Sequence, residues 1–238
     1  TSEEGTPQGG PLSPLLSNIM LNELDKELTR RGLPFVRYAD DSMIFCKSKR
    51  AAKRVKESIT RFIEGKLHLK VNRDKTVVSY VQGVKYLGYS FYVMKGKCQL
   101  TVHPKAKAKM KAKLKELTSR SNGWGYAKRK QKLEEYIKGW VGYYHLANMK
   151  RFLIETDEWL RRRLRMCIWK SWKRVKTRVA NLVKCGIDKY QAYMWGNSRL
   201  GYWRIAGSYI LSRAITNEKL SMAGYATLMG SYIEWHPK

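Results

Sequence analysis

Apolar positions along the chain change their period near residue 104, and that change divides the sequence. Over residues 14–29, Leu16, Met20, Leu24 and Leu28 stand four apart, the spacing of one helix face, with Ser13 as the predicted N-cap and Pro14 tolerated in the first turn. Two short β-prone runs follow, at 34–38 and 42–46. They are joined through Ala39, Asp40 and Asp41, and aspartate suits a turn, so the pair predicts a β-hairpin. Helical spacing returns over 50–64 through Ala51, Val55, Ile59, Phe62 and Ile63. Leu67, Leu69 and Val71 then alternate, residues 77–81 are β-rich, and residues 84–93 alternate through Leu87, Tyr89, Phe91 and Val93. Lys95-Gly96 marks a turn before a final β run at 98–102.

Beyond Pro104 the β pattern disappears. Residues 105–117 set Ala106, Met110, Leu114 and Leu117 on one stripe, with Lys105, Lys107, Lys109, Lys111, Lys113 and Lys115 around the rest. Residues 131–145 carry Leu133, Tyr136, Ile137, Trp140, Val141 and Tyr144 at amphipathic helical spacing. A third helix, from about 152 to 175, combines Leu160, Leu164, Ile168 and Trp172 with Arg161, Arg162, Arg163 and Arg165. These three predict a helical bundle with a basic outer surface. From 177 onward, glycines interrupt short helical or irregular pieces. The fold class is therefore α+β: a β-hairpin sheet with helices over 1–103, an all-helical basic region over 104–176, and a basic extension over 177–238.

Charge sharpens this division. The 238 residues are 43% hydrophobic, enough to bury a core, yet 48 Lys and Arg against 19 Asp and Glu leave a formal charge of +29. A polyanionic partner explains such an excess, and nucleic acid is favoured over an anionic membrane because no segment has the apolar length of a spanning helix. The excess concentrates in the second part: +8 over residues 1–100 and +21 over 101–238. Cys46, Cys98, Cys167 and Cys185 lie far apart without a CxxC pair, and His68, His103, His145 and His236 are equally scattered. Neither a disulfide framework nor a zinc finger is indicated, and a reducing interior is the default.

Tyr38-Ala39-Asp40-Asp41 is the most informative string. Adjacent carboxylates at a hairpin tip repel, and a divalent cation is the usual reason to hold them together; phosphoryl-transfer enzymes use such sites to clamp two metal ions. The dipeptide alone would read as a solvated turn, but its context is specific. TPQGGPLSPLLSNIML (6–21) precedes it with a helix between, NRDKT (72–76) and VKYLGYSF (84–91) follow, and YIKGWVGYYH (136–145) comes later. In this order and spacing these strings resemble the palm motifs and then the thumb/maturase region of group II intron-encoded reverse transcriptases.

The resemblance implies a partial polymerase palm over 1–103, a thumb/maturase domain over 104–176 and a nucleic-acid-binding extension over 177–238. It makes Asp40 and Asp41 the catalytic and Mg2+-holding pair, with Tyr38 and Ala39 near the primer end and incoming dNTP. Gln8, Gly9, Gly10 and Pro11 become the loop against which the nascent base pair rests, where glycine lets backbone approach a nucleotide. Lys75 falls near the triphosphate, to balance charge or protonate the pyrophosphate leaving group; a solvated lysine at a strand entrance is its plain alternative. Lys105, Lys109, Lys113, Arg161, Arg162 and Arg165 are the candidate RNA contacts, whereas Trp140, Tyr144, Leu164 and Trp172 are assigned to the core.

The family also takes a third aspartate from an earlier palm strand and triphosphate-binding residues from the fingers. Glu3 and Glu4 stand too close to the Gln8 loop to replace them, so the chain alone is expected to be inactive and to depend on an upstream portion of the same protein. The implied partners are group II intron RNA, an RNA template with DNA primer, dNTP and a DNA target, in a cytoplasmic, bacterial ribonucleoprotein. No endonuclease module is expected. Two functions stay open: RNA-directed DNA polymerase with roles in splicing and mobility, or an RNA-binding maturase without polymerase activity. A diversity-generating or CRISPR-linked reverse transcriptase is disfavoured by GWVGYY.

Overall fold

The computed structural model describes residues 10–237. The chain divides into two compact units, the first ending at Cys98 and the second beginning at Gln99.

The first unit opens with α1 (Ser13–Arg30). Its cap position is Leu12, which offers no side-chain acceptor, so Ser13 lies one residue inside the helix rather than capping it; Pro14 sits in the first turn as expected. Strands β1 (Phe35–Tyr38) and β2 (Asp41–Ile44) pair antiparallel from Phe35↔Ile44 to Tyr38↔Asp41, which leaves Ala39 and Asp40 as a two-residue turn. Helix α2 (Lys49–Lys66) is capped by Ser48, whose hydroxyl accepts from the Ala51 N–H at 3.1 Å. Leu24 and Leu28 of α1 and Ile59 of α2 form a small core with Leu33, Phe35, Ile44, Val55 and Phe62. The other half of the predicted α1 stripe, Leu16 and Met20, is exposed, as are Leu12, Leu15 and Ile19.

The alternation at Leu67, Leu69 and Val71 appears as half-buried positions separated by exposed ones, but this segment and residues 77–80 are not strands. A strand needs a partner for its backbone groups, and among the described residues none pairs with them; His68 also turns the chain at φ 55. Strands β3 (Lys85–Tyr86) and β4 (Tyr89–Met94) pair antiparallel across a turn at Leu87 and Gly88, φ 49 and 80. Lys95 and Gly96, φ 51 and 73, supply the left-handed pair of a tight turn before β5 (Lys97–Val102), which runs into the second unit.

In the second unit α3 (Pro104–Leu117) packs on α4 (Tyr126–Tyr144) and α5 (Lys150–Ser171). Met110, Leu114, Leu133, Ile137, Leu153, Leu160, Leu164 and Trp169 of these helices are buried. Residues after 171 do not form a separate extension. Helices α6 (Val175–Lys184) and α7 (Lys189–Gly196) pack on each other, and α8 (Tyr202–Ala206) lies on α5. Short helices α9 (Tyr209–Ala214) and α10 (Asn217–Met222) lead to α11 (Leu228–Glu234), which packs on both α4 and α5. Asp157 fastens this return: its carboxylate accepts from the Leu228 and Met229 N–H groups at 2.8 and 2.9 Å, where an anion suits a helix start. Burial nevertheless pushes the Asp157 carboxyl above its usual range, against the opposing pull of those two N–H groups. Among the described residues, no helix is long and apolar enough to cross a membrane.

Candidate active site and nucleic-acid interface

The hairpin presents Tyr38, Ala39, Asp40 and Asp41 together, all exposed. Ala39 has φ 52, a left-handed conformation that a Cβ makes costly, by roughly 1–2 kcal/mol. The turn is braced from below. Arg37 donates from Nε and Nη2 to both carboxylate oxygens of Asp25 on α1, the shortest contact being 2.6 Å. Its Nη1 donates to Asn18 Oδ1 and to the Ala39 carbonyl, each at 2.9 Å. The Asp25 carboxylate holds the Arg37 proton more firmly than usual. From β3, Tyr86 Oη donates to the Asp41 carbonyl at 3.4 Å; burial first, and Asp41 second, raise the Tyr86 hydroxyl above its ordinary range.

Of the glycine-rich loop, Gln8 and Gly9 lie outside the described residues. Gly10 and Pro11 form the turn that enters α1, with the Ser13 N–H donating to the Gly10 carbonyl at 3.1 Å. Lys75 is exposed within a compact turn in which its backbone N–H donates to Asn72 Oδ1 at 3.1 Å and Thr76 Oγ1 to the Asn72 carbonyl at 2.7 Å. Two hard carboxylates on adjacent residues are a donor set that Mg2+ accepts. Among the described residues, no group of three or more His, Cys, Asp and Glu side chains comes together as a metal site.

In the second unit Lys105, Lys109 and Lys113 are exposed on one face of α3; Lys113 pairs with Glu116 at 2.7 Å. His103 Nδ1 caps this helix by accepting from the Lys105 N–H. The α5 arginines turn the other way. Arg161 donates to the Asn217 carbonyl at 2.9 Å and to Ser221 Oγ at 3.1 Å, and Arg165 to the Ile215 carbonyl at 2.8 Å and Asn217 Oδ1 at 2.9 Å. Arg162 donates to the Trp203 carbonyl and lies 4.0 Å over the Trp203 ring. A Cβ on Gly207 would stand 2.5 Å from the Arg162 guanidinium carbon, so glycine is what admits this contact. Arg163 is buried on Thr118 and the Lys115 carbonyl. The basic outer surface expected for this helix is thus largely a set of internal fasteners for the C-terminal helices.

A family model described as reverse transcriptase (RNA-dependent DNA polymerase) matches residues 1–91, and one described as group II intron, maturase-specific domain, matches residues 107–186. The chain belongs to the group II intron reverse transcriptase–maturase family. Among curated relatives, protein YkfC of Escherichia coli is 33% identical and the group II intron-encoded protein LtrA of Lactococcus lactis 29% identical, each aligned with 37% of this chain. These matches span about a third of YkfC and a quarter of LtrA, 32% and 26% of their lengths.

The hairpin therefore lies in the reverse transcriptase match, and α3, α4 and α5 lie in the maturase match. Within the maturase module, Leu164 and Trp172 are buried, while Trp140 and Tyr144 are half-buried with ring centroids 4.7 Å apart. Sequence reasoning missed Arg37, Asp25, Asn18 and Tyr86 around the reverse transcriptase hairpin. Arg37 directly precedes the YADD string, which was the available signal; its partners stand 12 and 19 residues away and only the packing of hairpin on helix reveals them.

Proposed function

We propose that the chain forms part of an RNA-directed DNA polymerase that also binds group II intron RNA and assists its splicing and mobility. The exposed Asp40-Asp41 pair on a braced, strained turn, inside a reverse transcriptase match, carries this reading. Asp40 and Asp41 would hold Mg2+, which when bound supplies charge stabilisation for phosphoryl transfer. Tyr38 and Ala39 would lie beside the primer end and dNTP, Gln8, Gly9, Gly10 and Pro11 against the nascent base pair, and Lys75 towards the triphosphate. There its ammonium would offset charge or protonate the leaving pyrophosphate.

Polymerisation on this reading needs a third carboxylate beside the pair, supplied by an upstream portion of the protein, and the chain by itself is expected not to extend primers. RNA binding is assigned to Lys105, Lys109 and Lys113, with Arg161, Arg162 and Arg165 acting mainly to hold the helices behind that face. Residues 177–238, in which Tyr190 and Tyr193 stand exposed, would add contacts to RNA or to a DNA target. The setting proposed is a cytoplasmic ribonucleoprotein.

A maturase that binds RNA without polymerising is the second reading, favoured by the concentration of charge in residues 101–238. The two separate in primer extension on an RNA template with Mg2+ and dNTP. The chain, the chain extended by its upstream coding sequence, and the extended form with Asp40→Asn are compared. Extension only by the unmutated extended form supports the polymerase; tight RNA binding with no extension in any form assigns the maturase role alone.

A further inference from the structure

We propose that Arg37 is the positioning residue of the Asp40-Asp41 turn, tying the strained Ala39 peptide to α1 and so fixing where the two carboxylates stand. This rests on the polymerase reading of that turn and adds to it a part that neither the motif nor the family match assigns.

Two adjacent carboxylates repel, and Ala39 holds a left-handed φ of 52 that an alanine adopts only where its surroundings impose it. A two-residue turn free to relax would lose both features. The guanidinium opposes that relaxation because its donors point in several fixed directions at once. Nε and Nη2 engage both oxygens of Asp25, at 2.8 Å and 2.6 Å for the shortest contact of each. Nη1 divides between Asn18 and the Ala39 carbonyl. Asp25 and Asn18 both belong to α1, and Asp25 directly follows the buried Leu24, so the Asp25 contact fastens the tip to the packed half of that helix. Tyr86 holds the Asp41 carbonyl from the other side of Asp40.

Charge points the same way. Arg37 is a half-buried cation three residues before Asp40, and unpaired it would compete with a divalent ion for the carboxylates. The bidentate pairing with Asp25 occupies it, leaving a donor for a backbone carbonyl. A lysine keeps the charge but not the fork, since one nitrogen on a flexible stem cannot reproduce these directions. Arg37→Lys is therefore the most informative variant.

The test uses the extended chain at saturating dNTP and template–primer. Arg37→Ala and Arg37→Lys should lower kcat by about ten- to a hundred-fold, the range for a misplaced catalytic group, while template–primer Kd stays unchanged. Asp25→Asn should lower it less, and Arg37→Ala with Asp25→Asn should lose no more than Arg37→Ala alone. The second readout needs no polymerase activity. Fe2+ with ascorbate and peroxide cuts backbone beside a bound ion, and the unmutated protein should be cut at 38–42, with the cut weakened and spread in Arg37→Lys at an unchanged melting temperature. If Arg37→Ala fails to fold, Arg37→Lys and Asp25→Asn carry the test. Where the unmutated protein extends primers, a kcat within two-fold in both Arg37 variants overturns the proposal. Where it extends none, the polymerase reading fails and cleavage alone decides. A pattern lost in Arg37→Lys supports the clamp, and a pattern identical in the two proteins, including none in either, overturns it.

Discussion

The two units use similar sequence patterns to different extents. In the second, the apolar stripes of α3, α4 and α5 are largely buried, Ile137, Leu153 and Leu164 among them, and even its arginines are drawn inward to the carbonyls of later helices. In the first, among the described residues only Leu24, Leu28 and Ile59 are buried apolar side chains, while Leu15, Leu16 and Ile19 on the same helix are exposed. The difference teaches where each unit keeps its precision. The second holds its shape by burial. The first holds its Asp40-Asp41 turn by a few directed polar contacts, Arg37 to Asp25, Asn18 and the Ala39 carbonyl, on a thin core.

Truncation of core leucines should give the largest effects and test that contrast first. Leu164→Ala removes a fully packed side chain and should cost about 4 kcal/mol, whereas Leu28→Ala, in a core that can relax, should cost about 2–3 kcal/mol in urea unfolding. Equal losses would erase the distinction between the units.

Next in size is Asp157→Ala, which leaves the Leu228 and Met229 N–H groups without their acceptor and should cost about 2 kcal/mol. The sign of its pH dependence follows from burial. A carboxyl raised in the folded state binds its proton more tightly there than in the unfolded chain, so its contribution is present below the ordinary carboxylate pKa and is lost as pH rises through the folded value. Asp157→Asn, which keeps an acceptor and cannot ionise, should remove that loss; parallel stability curves for Asp157→Asn and the unmutated chain from pH 3 to 7 would refute this.

Replacing Lys105, Lys109 and Lys113 together by Gln should weaken RNA binding by about ten-fold and reduce the slope of log affinity against log salt by about 2–3, while leaving the melting temperature unchanged. An unchanged slope would move the RNA face elsewhere. Smallest of all, Ala39→Gly should stabilise the first unit by about 0.5–1 kcal/mol, because glycine takes the left-handed φ without a Cβ penalty. A destabilised variant would show that the turn is not strained.

Much of the fold could be read from spacing. The helix over 14–29, the hairpin at Asp40-Asp41, and the three helices of the maturase match follow from local period, which a folded core then enforces. What could not be read depends on partners distant in sequence. The β-prone residues 77–80 are not strands, since β propensity without a pairing strand leaves the backbone unsatisfied. Arg161, Arg162 and Arg165 look solvent-facing because charge on a helix usually is; their carbonyl acceptors lie 41 to 56 residues later. The Arg37 clamp was hidden for the same reason.

The most direct measurement of the proposed division, chemistry on the first unit and RNA binding on the second, compares two variants of the extended chain in paired assays, primer extension and intron RNA binding. Asp40→Asn should abolish extension and leave RNA affinity and its salt slope unchanged, while the triple lysine variant should lose affinity and still extend a saturating template–primer. Loss of RNA affinity in Asp40→Asn, or extension that survives it, would contradict the assignment of chemistry to the hairpin and binding to the helices.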